Sequence, residues 1–137
     1  MEVLRSGEYG VLSTVGENGQ PYGVPLSYAT QDDCIYFHCA KIGHKLENIE
    51  NNSRVSFTVV GRTKILPDKF ATEYESAIVF GVASEILGAE REGALLLLLE
   101  KYSKEFMAEG KAYIKQKDLA TKVIKVRIEH LSGKARK

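Results

Sequence analysis

The stretch YFHCAKIGHKLENI, from Tyr36 to Ile49, gathers two of the chain's three histidines, one of its two cysteines and a Gly-His-Lys triplet. Three chemistries use such residues. His38, Cys39 and His44 are all competent metal ligands. On an extended strand, however, His38 and Cys39 point to opposite faces and do not easily share an ion. The third histidine, His130, is remote in sequence, so no metal site is expected. A catalytic cysteine would need Cys39 beside a base such as His44, with something to depress its thiol pKa. No third orienting group stands at a telling spacing, and a buried cysteine is most often a small apolar residue. The third chemistry is anion binding. A helix start offers free N–H groups and the positive end of the dipole. Lys45 adds a full charge, His44 a donor that charges near neutral pH, and Gly43 room for a close backbone approach. At a strand-to-helix junction, Gly-His-Lys reads as a phosphate cradle.

Those residues need elements to hold them. Tyr9 to Val15 is rich in strand formers. The following GENGQP carries Asn18-Gly19, a hairpin signal, and Tyr22 to Ala29 reads as a second strand. TQDD is another turn, and CIYFHCA, Cys34 to Ala40, a third strand. Short turns between strands predict an antiparallel meander. At GHKLENIENN the period changes, with Leu46 and Ile49 on one face of a short helix. Arg54 to Gly61 reads as a fourth strand, and Arg62 to Glu75 as a long connection interrupted by Pro67. Ser76 to Leu87 is a fifth strand, apolar enough to be buried on both faces.

Gly88 to Phe106 reads as the one substantial helix, with Glu90 and Glu92 near its start and Lys101 and Lys104 near its end, as the macrodipole favours. Leu95 to Leu99 covers every face of that helix, so at least one leucine should be buried by something beyond its own barrel, which favours an oligomer. In Thr121 to Gly133, Ile124, Val126 and Ile128 share one face, while Val123 interrupts the polar face of Lys125, Arg127 and Glu129. This is a sixth strand, and Lys134 to Lys137 a solvated basic tail. The expected fold class is mainly β with helices: one domain, residues 1–137, with six antiparallel strands closing fully or partly into a barrel.

Composition narrows the function. Lys plus Arg is 19 against 18 for Asp plus Glu, a net charge of +1. Such balance argues against a nucleic-acid partner, which needs a basic excess. The longest purely apolar run, Ala94 to Leu99, is far too short to cross a bilayer. No charged-then-apolar leader opens the sequence, and Cys34 and Cys39 form neither a CxxC pair nor an extracellular framework. A reducing, cytoplasmic compartment is expected.

Three blocks together, YGVLSTVGENGQPYGVPLSYA, CIYFHCAKIGHKLENIENNSRVSFTVVG and YESAIVFGVASEI, resemble the flavin-binding split-barrel proteins related to pyridoxamine 5′-phosphate oxidase. Within them the nitroimidazole-resistance branch is the most similar. The resemblance spans Tyr9 to Gly133. It implies a six-stranded antiparallel split barrel that forms a homodimer, with FMN in two grooves at the interface. It implies that Val24, Pro25, Leu26, Ser27 and Tyr28 run beside the isoalloxazine ring. His38 and Cys39 would lie toward the ribityl and phosphate side, and His44 and Lys45 would grip the phosphate. Ser76 would contact the ring from the partner subunit. Pro25 suits such a strand, since it has no N–H to give a ladder and fits an edge facing a ligand.

The chain departs from the oxidases at three points. His44 stands where they carry an arginine, Glu75 where they carry another, and GKARK has no counterpart of their pyridoxal-phosphate arginines. Eight residues precede Tyr9, where relatives often carry a longer segment over the active site. The implied activity is therefore an FMN-dependent oxidoreductase that passes electrons from NAD(P)H to a small acceptor such as a nitroaromatic. The flavin carries that chemistry and the protein orients it. Tyr28, His44 and Tyr74 are candidates to line the substrate face, and no side chain is assigned as catalytic acid or base. Two alternatives share the fold: a flavin-binding electron carrier with little turnover, and a haem-binding split barrel with His38, His44 or His130 as axial ligand.

Overall fold

The computed structural model describes residues 2–136. The chain begins with α1 (Glu2–Ser6), then β1 (Gly10–Val15), β2 (Pro21–Leu26), β3 (Ala29–Gln31) and β4 (Cys34–Ala40). α2 (His44–Asn51) follows, then β5 (Arg54–Leu66) and β6 (Ala71–Glu85). α3 (Gly88–Tyr102), α4 (Met107–Lys117) and β7 (Thr121–Arg136) complete it. All paired strands are antiparallel, and they form one sheet in the order β2-β1-β5-β6-β7-β4-β3.

The sheet has seven strands and is not closed, which corrects the expected six-stranded barrel; β2 and β3 are its two edges. The extra strand arises where Tyr22 to Ala29 reads as one. The segment breaks at Ser27-Tyr28 because the backbone of Tyr28 is engaged elsewhere: its N–H donates to Tyr102 Oη at 3.1 Å, and its carbonyl accepts from Lys101 Nζ at 2.9 Å. The Asn-Gly hairpin forms as expected. Gly19 takes φ 82°, and the Gly16 N–H donates to the Gln20 carbonyl at 2.8 Å.

The expected connection from Arg62 to Glu75 is instead a long hairpin. β5 runs on to Leu66, Pro67–Lys69 form a 3-10 turn, and β6 starts at Ala71. Proline here sits at the turn, where its missing N–H costs no ladder bond. The basic tail is likewise strand as far as Arg136, Lys137 lying outside the described residues, with Ser76 opposite Lys134 and Glu75 opposite Ala135. The expected helix stops at Tyr102; α4 and α1 lie outside it, both being weakly amphipathic or too short for periodicity to reveal.

The core sits on one face of the sheet. Leu12, Ile35, Phe37, Phe57, Val59, Val79 and Val126 are fully buried there. A second, smaller cluster of Tyr36, Ile86, Ala94, Leu95 and Val123 lies beneath α3. This explains Val123: α3 covers the face that its neighbours make polar. Lys125 Nζ and the Tyr36 hydroxyl both meet the Glu90 carboxylate, at 3.1 and 3.2 Å, and fasten α3 to the sheet. The leucine run is covered mainly by the chain itself. Leu95 and Leu98 are buried, and Leu96 faces out.

β6 is not buried on both faces. Ala77, Val79 and Ala83 point inward, whereas Ile78 and Phe80 are 40% and 55% exposed. Val60 of β5 joins them on an exposed, largely apolar outer surface, whereas Leu131 of β7 opposes Val79 on the inner face.

Candidate functional site

The start of α2 is held from several sides. β4 delivers the chain to Ala40, and three residues carry it into the helix. Farther along, Ile49 joins the core, and buried Asn48 donates from Nδ2 to Thr14 Oγ1 at 2.9 Å, fixing α2 on β1. At the front, the rings of His44 and Tyr22 lie 4.5 Å apart, tilted by 35°. His44 therefore sits where the edge strand β2 meets the helix start.

That start carries no side-chain cap. Gly43 is extended, and a Cβ added there would meet nothing within 4 Å. The first-turn N–H donors are thus uncapped and approachable. Among the described residues Lys45 makes no ion pair. Its charge reaches Cys39. Burial pushes the Cys39 thiol up, while Lys45 and Lys122 pull it down and Glu85 pushes it up again. The net direction is upward, so Cys39 is a protonated, inert thiol near neutral pH rather than a nucleophile.

Lys122 is a site residue that sequence reasoning missed. It opposes Cys39 in the β4–β7 register and lies 3.9 Å from Glu85. The available signal was its phase, since it shares the inward face of Ile124, Val126 and Ile128. Tyr22 was also missed, because no local period links it to His44. Cys39, His44, Lys45 and Lys122 thus converge around the α2 start, with the edge of β2 alongside.

The other expected site residues separate into groups. Val24 and Leu26 turn inward against the core, while Pro25 and Ser27 are exposed. Tyr28 is wholly buried, and its hydroxyl donates to the Leu4 carbonyl. Burial drives its phenol pKa up. With its N–H, carbonyl and hydroxyl all engaged, Tyr28 acts as a structural post. His38 lies on the opposite face of β4 from Cys39, exposed at the edge of a cavity beneath α3 and α4. Desolvation there lowers its pKa. Ser76 is on the outer face of β6, between Val60 and Lys134. Tyr74 is at the arm of the hairpin, with Lys134 Nζ 5.5 Å from its ring centroid. His130 stacks on Phe80 at 5.8 Å on the same outer surface. Among the described residues, no three His, Cys, Asp or Glu side chains group as a metal site requires, and no helix is long and apolar enough to cross a membrane.

Several solved structures share this curled antiparallel sheet with its helical insertions. A candidate 5-nitroimidazole antibiotic resistance protein from Bacteroides thetaiotaomicron superposes with TM-score 0.77 at 22% identity, over 96% of this chain and 79% of that one. An FAD-binding protein from Mesorhizobium loti gives 0.68 at 23% identity, over 99% and 91%. An FAD- and haem-binding protein from Mycobacterium smegmatis gives 0.83 at 20% identity, over 98% and 68%. These likenesses establish the split-barrel type of fold. The chain belongs to the pyridoxamine 5′-phosphate oxidase family, whose profile matches residues 1–135. No curated protein matches it.

Proposed function

We propose that the chain is an FMN-dependent oxidoreductase. The observation that carries the reading is the convergence of Lys45, His44 and an uncapped, approachable helix start beside the open edge of β2. An uncapped first turn with an unpaired lysine suits a phosphate, and a free strand edge suits the polar rim of a flat ring. In this reading Lys45 and His44 hold the phosphate, and Cys39 and Lys122 flank it. Val24, Pro25, Leu26 and Ser27 lie along the ring. FMN bound there would accept a hydride from a reduced nicotinamide and pass two electrons to a small acceptor such as a nitroaromatic.

The site is half built in one chain. The exposed apolar surface of Val60, Ile78 and Phe80 supports a homodimer in which this face is covered by a second copy. Ser76 lies on that face, consistent with its contacting flavin across the interface. His44 in place of an arginine makes the phosphate grip weaker and pH-dependent.

Purified protein loaded with FMN is expected to consume NAD(P)H when a nitroaromatic is supplied. FMN retained without such consumption would favour the electron-carrier alternative. His130 on Phe80 offers a haem ligand on an apolar surface, and a Soret band in place of flavin bands would favour haem.

A further inference from the structure

His38 faces away from the α2 site, and what it faces is a second cavity. This cavity, of about 110 Å³, lies between the α3–α4 pair and the strands β4 and β7. Its walls are mostly aliphatic: Leu95, Leu98, Leu99 and Ile114. Its polar lining includes His38 and Lys117, and no acidic side chain contributes to it. Arg91 also borders the space, but its guanidinium is committed. It pairs with the Asp118 carboxylate and donates to the carbonyls of Asp118 and Thr121, each at 3.1 Å. That leaves Lys117 as the cation without an acidic partner among the described residues. The His38 ring likewise makes no hydrogen bond among them.

The roof differs from an ordinary core helix. α4 fully buries none of its side chains, and Ile114, half-buried, is its contact with the cluster beneath α3. It hangs between two 3-10 turns, Lys104–Phe106 and Asp118–Ala120, and rests on α3. Gly110 permits the close approach, since a Cβ there would fall 2.4 Å from Leu99 Cδ2. A helix held this lightly is free to shift over a cavity beneath it. An apolar cavity of roughly 150 Å³ accepts a benzene ring, so a small outward movement of α4 gives this one the room for a single ring.

We infer that the cavity beneath α4 binds a small monocyclic carboxylate, with its ring among Leu95, Leu98, Leu99 and Ile114 and its carboxylate on Lys117 and His38. The apolar lining selects the ring, and the absence of acids beside an unpaired lysine selects the negative charge. The site stands on the other face of β4 from the flavin site, so it does not depend on the flavin assignment.

Benzoate is the probe, with benzamide as its neutral isostere, each titrated into the purified full chain. Imidazole proton resonances and calorimetry provide the readouts. Expected are saturable shifts in the His38 resonances, weaker binding of benzamide, and several-fold weaker binding of benzoate to Lys117→Gln. Ile114→Trp fills the cavity from the exposed helix and should abolish binding while circular dichroism and FMN retention stay unchanged. No saturation by benzoate would overturn the inference, as would equal affinity for benzamide or undiminished binding to both variants.

Discussion

β6 carries apolar residues on both faces, and the two faces fare differently. Ala77 and Val79 are wholly buried, whereas Ile78 and Phe80 beside them are 40% and 55% exposed. Composition does not distinguish the faces; coverage does. The inner face closes over its own core. Among the described residues the outer face at Ile78 and Phe80 stays open, while α3 packs over β3, β4 and β7 and α4 rests on α3. The difference separates residues that hold the fold from residues that the fold leaves exposed.

The sharpest way to break that contrast is to exchange the two costs. Phe57, fully buried, is expected to lose about 3–5 kcal/mol of stability on replacement by alanine. Phe80→Ala should change the stability of a single chain by about 0.5 kcal/mol or less. Chemical denaturation of both variants at low concentration measures the two values, and similar losses would mean that the outer face is part of the core. Next, Ile78→Glu with Phe80→Glu should convert the proposed dimer to a monomer in light scattering while secondary structure is retained. Persistence of the dimer would place its interface elsewhere.

The contrast also predicts where ligand energy resides. Lys45→Ala should weaken FMN binding about tenfold, near 1.4 kcal/mol, and leave riboflavin binding little changed, since riboflavin has no phosphate. Equal losses for both ligands would remove Lys45 from the phosphate. A smaller effect is expected at the clasp behind β3, where the Tyr102 hydroxyl donates to the Glu8 carbonyl at 2.6 Å and lies 3.0 Å from the Tyr28 carbonyl. Tyr102→Phe should cost about 1 kcal/mol of stability.

The last effect is pH-dependent. Burial lowers Lys101 from 10.5 to about 8. The folded state therefore releases this proton at lower pH than the unfolded state. Between about pH 8 and 10.5 the unfolded chain binds more protons at this site, so its contribution to stability rises with pH through that window. Subtracting the pH profile of Lys101→Met from that of the natural chain isolates the trend. A flat difference would mean that Lys101 titrates normally.

Much of the frame was legible in the sequence. The Asn-Gly hairpin, the strand at Cys34–Ala40, the helix starting at Gly-His-Lys and the alternation of the last strand each follow from local chemistry. What escaped depends on contacts distant in sequence. β3 parts from β2 because Tyr102 and Lys101 claim the backbone of Tyr28, some seventy residues earlier. The β5–β6 arm looked like a loop because Pro67 dominates its local signal. Val123 looked out of phase until α3 was seen to cover it. At the candidate site the Gly-His-Lys start was legible, whereas Tyr22 and Lys122 come from other strands. His38 and Cys39, adjacent in sequence, face opposite sides of β4 because a strand alternates.

The most direct test of the flavin assignment is the absorption spectrum of purified protein after FMN is added and the excess removed. The account predicts flavin bands that stay with the protein at one FMN per chain and are lost more readily from Lys45→Ala. A colourless protein that cannot retain FMN, or one that shows a Soret band instead, would contradict it.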